Sequence, residues 1–525
     1  LPVYLYKTNW FVGKERSIHD ISIIEQSKIT LASTDAYLLL IEINYENGLP
    51  ENYILPLSIV KEPLMKTIKE NYSESVIALL KAGNESALLC DGFYNPDLQR
   101  WLFKNLQTDS TIKLTGSLIQ FNTEEAVKNF NPGTELKSRI HPGHQKNTSV
   151  TFDNRFFLKL YRKVDSDINP DVELSNYLAK RTGFTYTPLY LGKLEWVIGK
   201  RSFVLGQIQE MVENHGDGRS YMTERLNNYI ERILAKNHYN NNIPERLSSL
   251  TDPLSYDQLP QELQTLLGGP ASEQSQLLGK RVAMMHIALA SGKDKDFIPE
   301  EFSLHYQRSL FSAMQSMVRE TFQNIRKVLP QAANEYHEQL KNIESKKDQL
   351  LEILKQIYSK KIDATKIRIH GNLHLQQILF TGKDIAIHDF GGNPHRNYSE
   401  RRLKRSAFRD VATMIRSFYY VAHKTFINSN QLDKEEINAL LPYATLWSHY
   451  MSGFFLKAYL EKSNGFSFIP ENKSELEILI RSYLLEGAIN DLNFEVNHRP
   501  EYVLIPLRII DAIVNPVELK KIPVN

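Results

Sequence analysis

The chain has one cysteine, Cys90, in 525 residues. Neither a disulfide framework nor a thiolate metal site can be built from it, and a reducing, cytoplasmic setting fits. Net charge is nearly absent as well, with 63 lysines and arginines against 61 acidic residues and a balance of +2. That excludes the strong basic field of a general nucleic-acid or membrane-surface binder and points to a small-molecule partner. No apolar run is long enough to span a bilayer. The start, Leu1-Pro2-Val3-Tyr4, lacks a charged leader with an apolar stretch and lacks an initiating methionine, so the expectation is a fragment or a piece of a longer, fused chain. No internal repeat is evident. The length exceeds one ordinary core, so two or three packed subdomains are expected.

What is present is concentrated in two stretches. Residues 368–380, RIHGNLHLQQILF, set His370, Asn372 and Gln377 at the spacing of a catalytic loop, H-x-D-x-x-x-x-N, with Asn at the Asp position and Gln at the last. Asp389-Phe390-Gly391 follows as a metal-binding D-F-G. Either motif alone reads better as two ordinary strands with polar ends. Together and in this order they indicate phosphoryl transfer, in which the protein must orient a hydroxyl, hold Mg²⁺ against phosphates and neutralise developing charge. The apolar runs Ile378 to Phe380 and Ile385 to Ile387 flank Thr381-Gly382-Lys383-Asp384, which predicts a hairpin that brings Gln377 and Asp389 together. Asn372 stands where a carboxylate base belongs, and an amide accepts no proton at neutral pH.

Taken in order, the first hundred residues hold strand-like runs at 21–24, 37–44 and 53–60, with a hairpin turn at 46–50, and helical patterns at 64–80 and 96–106. Trp10 and Trp101 read as core. The polar stretch 144–150 offers the Thr148 and Ser149 hydroxyls and backbone N–H groups to phosphate, and serves equally well as a plain hairpin, since its glycine content is limited to Gly143. In the strand around Lys159, alternation puts Phe157, Lys159 and Tyr161 on one face, and a lysine so placed suits nucleotide phosphates. Asn169-Pro170 opens a helix with Asp171 and Glu173 in its first turn, and Glu173 is the expected partner of Lys159. The strand 204–212 is expected to present backbone groups near Glu210 and Val212 to adenine before a flexible connection at Gly216-Asp217-Gly218. Loops are expected around Asn240 to Asn242 and Pro244, and helices over 310–329 and 340–357. Of the cations in 400–409, some are expected to meet phosphate or hold the catalytic loop, whereas Asp410 is expected to orient backbone.

With these residues the chain resembles the maltokinase family across nearly its whole length, including the maltokinase portion fused to trehalose synthase. The matching pieces include Trp10-Phe11 with Lys14, Asn147-Thr148-Ser149, Leu158-Lys159, Asn169 to Glu173, Gln209-Glu210, Leu278-Gly279 through His286, both site motifs, Arg409 to Ala412 and Arg499-Pro500. The resemblance implies an α+β, bilobal protein-kinase-like fold of the aminoglycoside-phosphotransferase kind, with an N-terminal α/β cap. Boundaries are expected at 1–105 for the cap, 106–214 for the small lobe and 215–525 for the mainly helical large lobe. It further implies conversion of maltose and ATP to maltose 1-phosphate and ADP for α-glucan synthesis, with Mg²⁺. Lys159 and Glu173 would serve the nucleotide, Gln377 and Asp389 the metal, Asn372 and His370 the catalytic position, and Glu495 and Arg499 the sugar. The sequence departs from the family at Asn372, at Gly391 to Asn393 beside the metal position, and at Asn490, Asp491, Phe494 and Tyr502 near the sugar. Those changes leave room for two other readings: a pseudokinase that binds without turning over, and a kinase for another small sugar such as glucosamine.

Overall fold

The strand-like runs near the N-terminus pair with each other. In the computed structural model, Ile18–Thr30, Asp35–Tyr45 and Glu51–Val60 form an antiparallel meander, with Ala36 opposite Ser58 and Ile43 opposite Glu51. The structure describes residues 1–525 apart from 33, 84, 134, 142–145, 236–250, 332–333, 428–431 and 516–525. The sequence expectations at 143–145, 240–242 and 244 therefore lie outside the described residues.

The helix expected over 64–80 is half right. A helix covers Leu64–Asn71, but Val76–Ala82 is a strand, paired with Glu85–Asp91 at the edge of the same sheet. The turn at Ser73–Ser75 ends the helical period, and β-branched Val76 and Ile77 then take a cross-strand partner that local periodicity does not reveal. The helix Pro96–Gln107 forms as expected: Asn95 accepts from the Asp97 N–H as its N-cap, and Pro96 sits at the first position, where its missing N–H costs nothing.

The chain divides into two compact units. The first holds Leu1–Arg181, Thr187–Val212 and Asn393–Arg402; the second holds Thr182–Tyr186, Glu213–Gly392 and Leu403–Asn525. In the first, a seven-stranded antiparallel sheet runs in the order Thr111–Leu114, Ser117–Thr123, Tyr190–Ile198, Arg201–Glu210, Phe156–Leu160, Thr148–Phe152 and Ser138–His141. Leu98, Leu102, Phe103 and Leu106 of the helix Pro96–Gln107 share one core with Phe152, Phe156 and Leu158 of that sheet. Each large apolar side chain so buried contributes about 1.5–3 kcal/mol relative to exposure. The helix crosses the boundary expected after 105, so the segments read as cap and small lobe lie in one unit.

The second unit is mainly helical. Phe408–Ile427 packs on Lys434–Ser463 and on Lys473–His498, and Lys434–Ser463 lies along Gly269–Ala290. The expected helices around 310–329 and 340–357 appear as Leu304–Val328, Asn334–Ser345 and Lys347–Lys355. Asp433 and Glu436 close a reciprocal capping box at the start of Lys434–Ser463. Among the described residues no helix is long and apolar enough to cross a membrane.

Candidate active site

In the first unit Lys159 lies on the strand Phe156–Leu160, opposite Gln207. Its Nζ is 2.7 Å from Oδ2 of Asp171, and the same oxygen accepts from the Tyr161 hydroxyl at 2.8 Å and from Gln207 Nε2 at 3.2 Å. All four side chains are buried. Asp171 is fixed in turn by Asn169, whose Oδ1 accepts from the Asp171 and Val172 N–H groups at the start of the helix Pro170–Arg181. Sequence reasoning named Glu173 as the partner of Lys159 and did not single out Asp171. Glu173 is gripped bidentately by Arg402 at 2.9 and 2.6 Å, which is where one of the cations of 400–409 goes.

One expectation in this unit needs correction. Thr148 and Ser149 do not sit at a loop tip: they begin the strand Thr148–Phe152, both are buried, and the Thr148 hydroxyl accepts from Arg162 Nε at 2.8 Å. That hydroxyl oxygen is turned to Arg162 inside the unit, and it is the burial of both residues that departs from the expected polar loop. At the end of Arg201–Glu210, the Glu210 N–H donates to the Leu189 carbonyl and the Met211 N–H to the Arg155 carbonyl, and Val212 is the last residue before the second unit.

In the second unit the expected hairpin forms, with Ile378 opposite Ile387 and Phe380 opposite Ile385. It sets Gln377 Nε2 3.1 Å from Asp389 Oδ2, and the His388 N–H donates to the Gln377 carbonyl at 3.0 Å. Gln377 Oε1 is buried and has no hydrogen-bond partner among the described residues. Asp389 has φ of 66°, a left-handed conformation that a non-glycine residue adopts only under surrounding constraint. An unbonded amide oxygen beside a carboxylate fits a hard cation that takes oxygen ligands and completes its shell with water or phosphate. The Gly216 to Gly218 segment, expected to be flexible, is instead tied to the hairpin: the His215 N–H donates to Phe380, the Phe380 N–H to Gly216, and Asp217 caps the helix Gly218–Ala235 through the Ser220 N–H at 2.7 Å.

The loop before the hairpin is held by backbone, not by residue 372. Asp410 accepts the His370 N–H at 2.8 Å and the Gly371 N–H at 2.9 Å, as expected of a residue that orients backbone. His286 Nε2 lies 3.1 Å from the same carboxylate, and its Nδ1 is 2.8 Å from the Tyr459 hydroxyl. The His370 ring lies against Phe390 of the D-F-G, tilted by 45° with centroids 5.0 Å apart, and its Nε2 donates to the His388 carbonyl at 3.0 Å. Gly371 has φ of 79°, where a Cβ would be strained. The Asn372 side chain makes one weak contact, Nδ2 to His374 Nε2 at 3.5 Å.

Asn372 opens on a cavity of about 340 Å³ whose walls include His374, Tyr420, Glu495 and Arg499. Arg499 forks onto Glu495 at 2.8 and 2.7 Å, and the Tyr420 hydroxyl donates to the same carboxylate at 3.1 Å. Burial pushes the Glu495 carboxyl above the usual carboxylate range despite Arg499. Burial and the neighbouring Arg499 guanidinium pull the Lys424 ammonium down to about 8. The three residues assigned to the sugar, Asn372, Glu495 and Arg499, therefore line one cavity.

Sequence reasoning missed Arg219, Arg416, Tyr420 and Lys424, which also line it. A signal was available: Thr413, Arg416, Ser417, Tyr420 and Lys424 keep helical spacing as a polar stripe on the otherwise apolar helix Phe408–Ile427. Arg416 Nε reaches Asp491 Oδ2 at 2.9 Å across Gly487, whose missing Cβ is what lets the guanidinium pass.

Residues 4–94 match the maltokinase N-terminal cap domain. Among solved structures, a glucosamine kinase (crystal form B) superposes with a TM-score of 0.58 at 16% identity over 94% of this chain and 94% of that one. A glucosamine kinase in complex with glucosamine, ADP and inorganic phosphate gives 0.55 at 17% identity over 97% and 95%. Residues 4–94 thus belong to the maltokinase N-terminal cap family, and the chain that bears them has the glucosamine kinase fold, in line with its resemblance to the maltokinases.

Proposed function

We propose that this chain is an ATP-dependent sugar kinase of maltokinase type, with maltose giving maltose 1-phosphate, and that residues 1–105, 106–214 and 215–525 act as cap, small lobe and large lobe. The observation that carries the reading is the hairpin that sets Gln377, with its unbonded oxygen, against Asp389. Those two would hold Mg²⁺, which when bound neutralises phosphate charge as the transfer proceeds. Lys159, fixed by Asp171, is assigned to the nucleotide. The sugar hydroxyl oxygen forms a bond to the γ-phosphorus while the bond from that phosphorus to the bridging oxygen of ADP breaks. Asn372 Oδ1 can accept the hydroxyl hydrogen bond and aim it, but it cannot keep the proton, which leaves to water or with the transferred phosphoryl group. General-base help is worth about 10²–10⁴-fold, so positioning alone sustains a slow reaction.

Asn372 also favours a second reading, a module that binds nucleotide or sugar without turnover. The single buried Cys90 suits a reducing, cytoplasmic setting, and the family resemblance suggests association with a trehalose synthase. The deciding experiment is calorimetry of ATP with and without Mg²⁺, followed by ADP release with maltose, glucose and glucosamine. The expected result is Mg²⁺-dependent ATP binding, weakened in Lys159→Met and Asp389→Ala, with slow transfer to a sugar. Absence of ATP binding in the unaltered chain overturns the kinase and nucleotide-binding readings, and ATP binding without transfer to any sugar, anionic sugars included, leaves the second.

A further inference from the structure

The cavity beside Asn372 carries more charge than a neutral sugar needs. Arg219, Arg416, Lys424 and Arg499 line it against two carboxylates, Asp491 and Glu495. Arg416 is matched to Asp491 and Arg499 to Glu495, at 2.9 and 2.7 Å. Arg219 and Lys424 have no ion-pair partner among the described residues, which leaves two positive charges in excess. Lys424 is half-buried, and its ammonium nitrogen lies over the Tyr502 ring at 4.2 Å and the Tyr420 ring at 5.3 Å, so the aromatic faces hold the charge itself in place, while its three N–H donors can still turn to an anion. Neither Gln377 nor Asp389 lines this cavity, so the surplus cations stand with the acceptor position and not with the metal position.

We propose that the acceptor is an anionic sugar, bearing a carboxylate or a phosphate that Lys424 and Arg219 bind while Asn372 faces the hydroxyl to be phosphorylated. This rests on the phosphotransfer part of the kinase reading alone and puts an anionic sugar in the acceptor position in place of neutral maltose. Two like charges facing one cavity are destabilised by each other and by partial burial, and an anion between them relieves both. Charge-assisted hydrogen bonds to an ammonium and a guanidinium are about twice as strong as those a neutral hydroxyl can form. A cationic amino sugar meets the opposite field, and neutral maltose gains nothing from it. The burial that lowers Lys424 agrees with this, because a bound anion would raise it again.

The test is binding of D-glucuronate, D-glucose 6-phosphate, D-glucose, D-glucosamine and inorganic phosphate to the full chain by saturation-transfer NMR and calorimetry, with ATP affinity measured in parallel. At least one anionic sugar should bind about tenfold or more tighter than glucose, as expected for a charge-assisted contact, and glucosamine should bind weakest. Glucuronate against glucose 6-phosphate then tells which anion is read. Lys424→Met and Arg219→Gln should each reduce the preference to about threefold or less with ATP affinity and thermal midpoint unchanged. Arg219 is exposed, so its variant remains informative even if Lys424→Met folds poorly. Equal or tighter binding of glucose overturns the proposal. So does inorganic phosphate binding as tightly as the sugars, or a loss of ATP affinity in the variants, which would give these cations to the nucleotide. A chain that binds anionic sugars selectively but no ATP would sink the kinase reading alone.

Discussion

Asn372→Asp is the most direct perturbation of this site. The change is nearly isosteric, and among the described residues the side-chain hydrogen bond at stake is the 3.5 Å approach of Nδ2 to His374, at the edge of hydrogen-bonding distance. The loop itself is fixed through the backbone by Asp410, so folding stability should shift by no more than about 0.5 kcal/mol. The new carboxylate would face a cavity with surplus positive charge, which favours its ionised form at neutral pH. A proton acceptor placed at the attacking hydroxyl should then raise kcat by about 10²–10⁴-fold, or about 3–5 kcal/mol of barrier, with little change in ATP affinity. Steady-state ADP release, read beside calorimetric ATP binding and a thermal melt, separates chemistry from binding and folding. If the variant folds and binds both substrates but shows no gain in kcat, the missing base is not what limits the site. Gly391 and Asn393, beside the metal position, would then be the next residues to restore.

Three further outcomes follow from the geometry. In Gly487→Ala the added Cβ would fall 1.9 Å from Arg416 Nη1, so the guanidinium must leave Asp491; the helix gains roughly 0.5–1 kcal/mol of propensity, and the expected signature is weaker sugar binding by NMR with a nearly unchanged melting point. Asp410→Ala strips the acceptor from the buried His370 N–H and from the N–H of the exposed Gly371, and should cost about 1–3 kcal/mol in urea unfolding, with Asp410→Asn losing less because one oxygen remains. Burial holds the His423 imidazole down to about 4, against 6.5 for the unperturbed group. The unfolded chain therefore binds the extra proton first as pH drops, so stability from this residue is complete above about 6.5 and declines towards 4 by up to about 3 kcal/mol. Urea midpoints for His423→Asn should fall less steeply over that window, and an identical slope would show that His423 is not the titrating group.

The parts legible in the sequence were those whose geometry is set by near neighbours. The Gln377–Asp389 pairing needed only a four-residue turn and two short apolar runs, and Asp410 could be read as a backbone orienter. What was lost depended on distant partners. Thr148 looked like a polar loop residue because nothing nearby in sequence shows that Arg162 meets it inside the unit. Val76–Ala82 looked helical because its strand partner lies across a turn. Asp171 and Glu173 share one helical turn, and the sequence does not fix the rotation of that helix, which sets Asp171 against Lys159 and Glu173 against Arg402. The cavity was half legible: Glu495 and Arg499 came from the resemblance, whereas the stripe from Thr413 to Lys424 stood in the sequence as a periodic pattern and went unused.

The grip of Asp410 on the loop has an evolutionary consequence. Because two backbone N–H groups and a buried histidine set the loop, position 372 is free to change without any penalty in folding, and the cell would see a full complement of intact protein whichever residue stands there. Selection on protein abundance is therefore blind at 372, and only selection on flux can hold a carboxylate in place. In a library of substitutions scored once for yield and once for turnover, 372 should be tolerant in the first and sharply restricted in the second, while 410 should be intolerant in both.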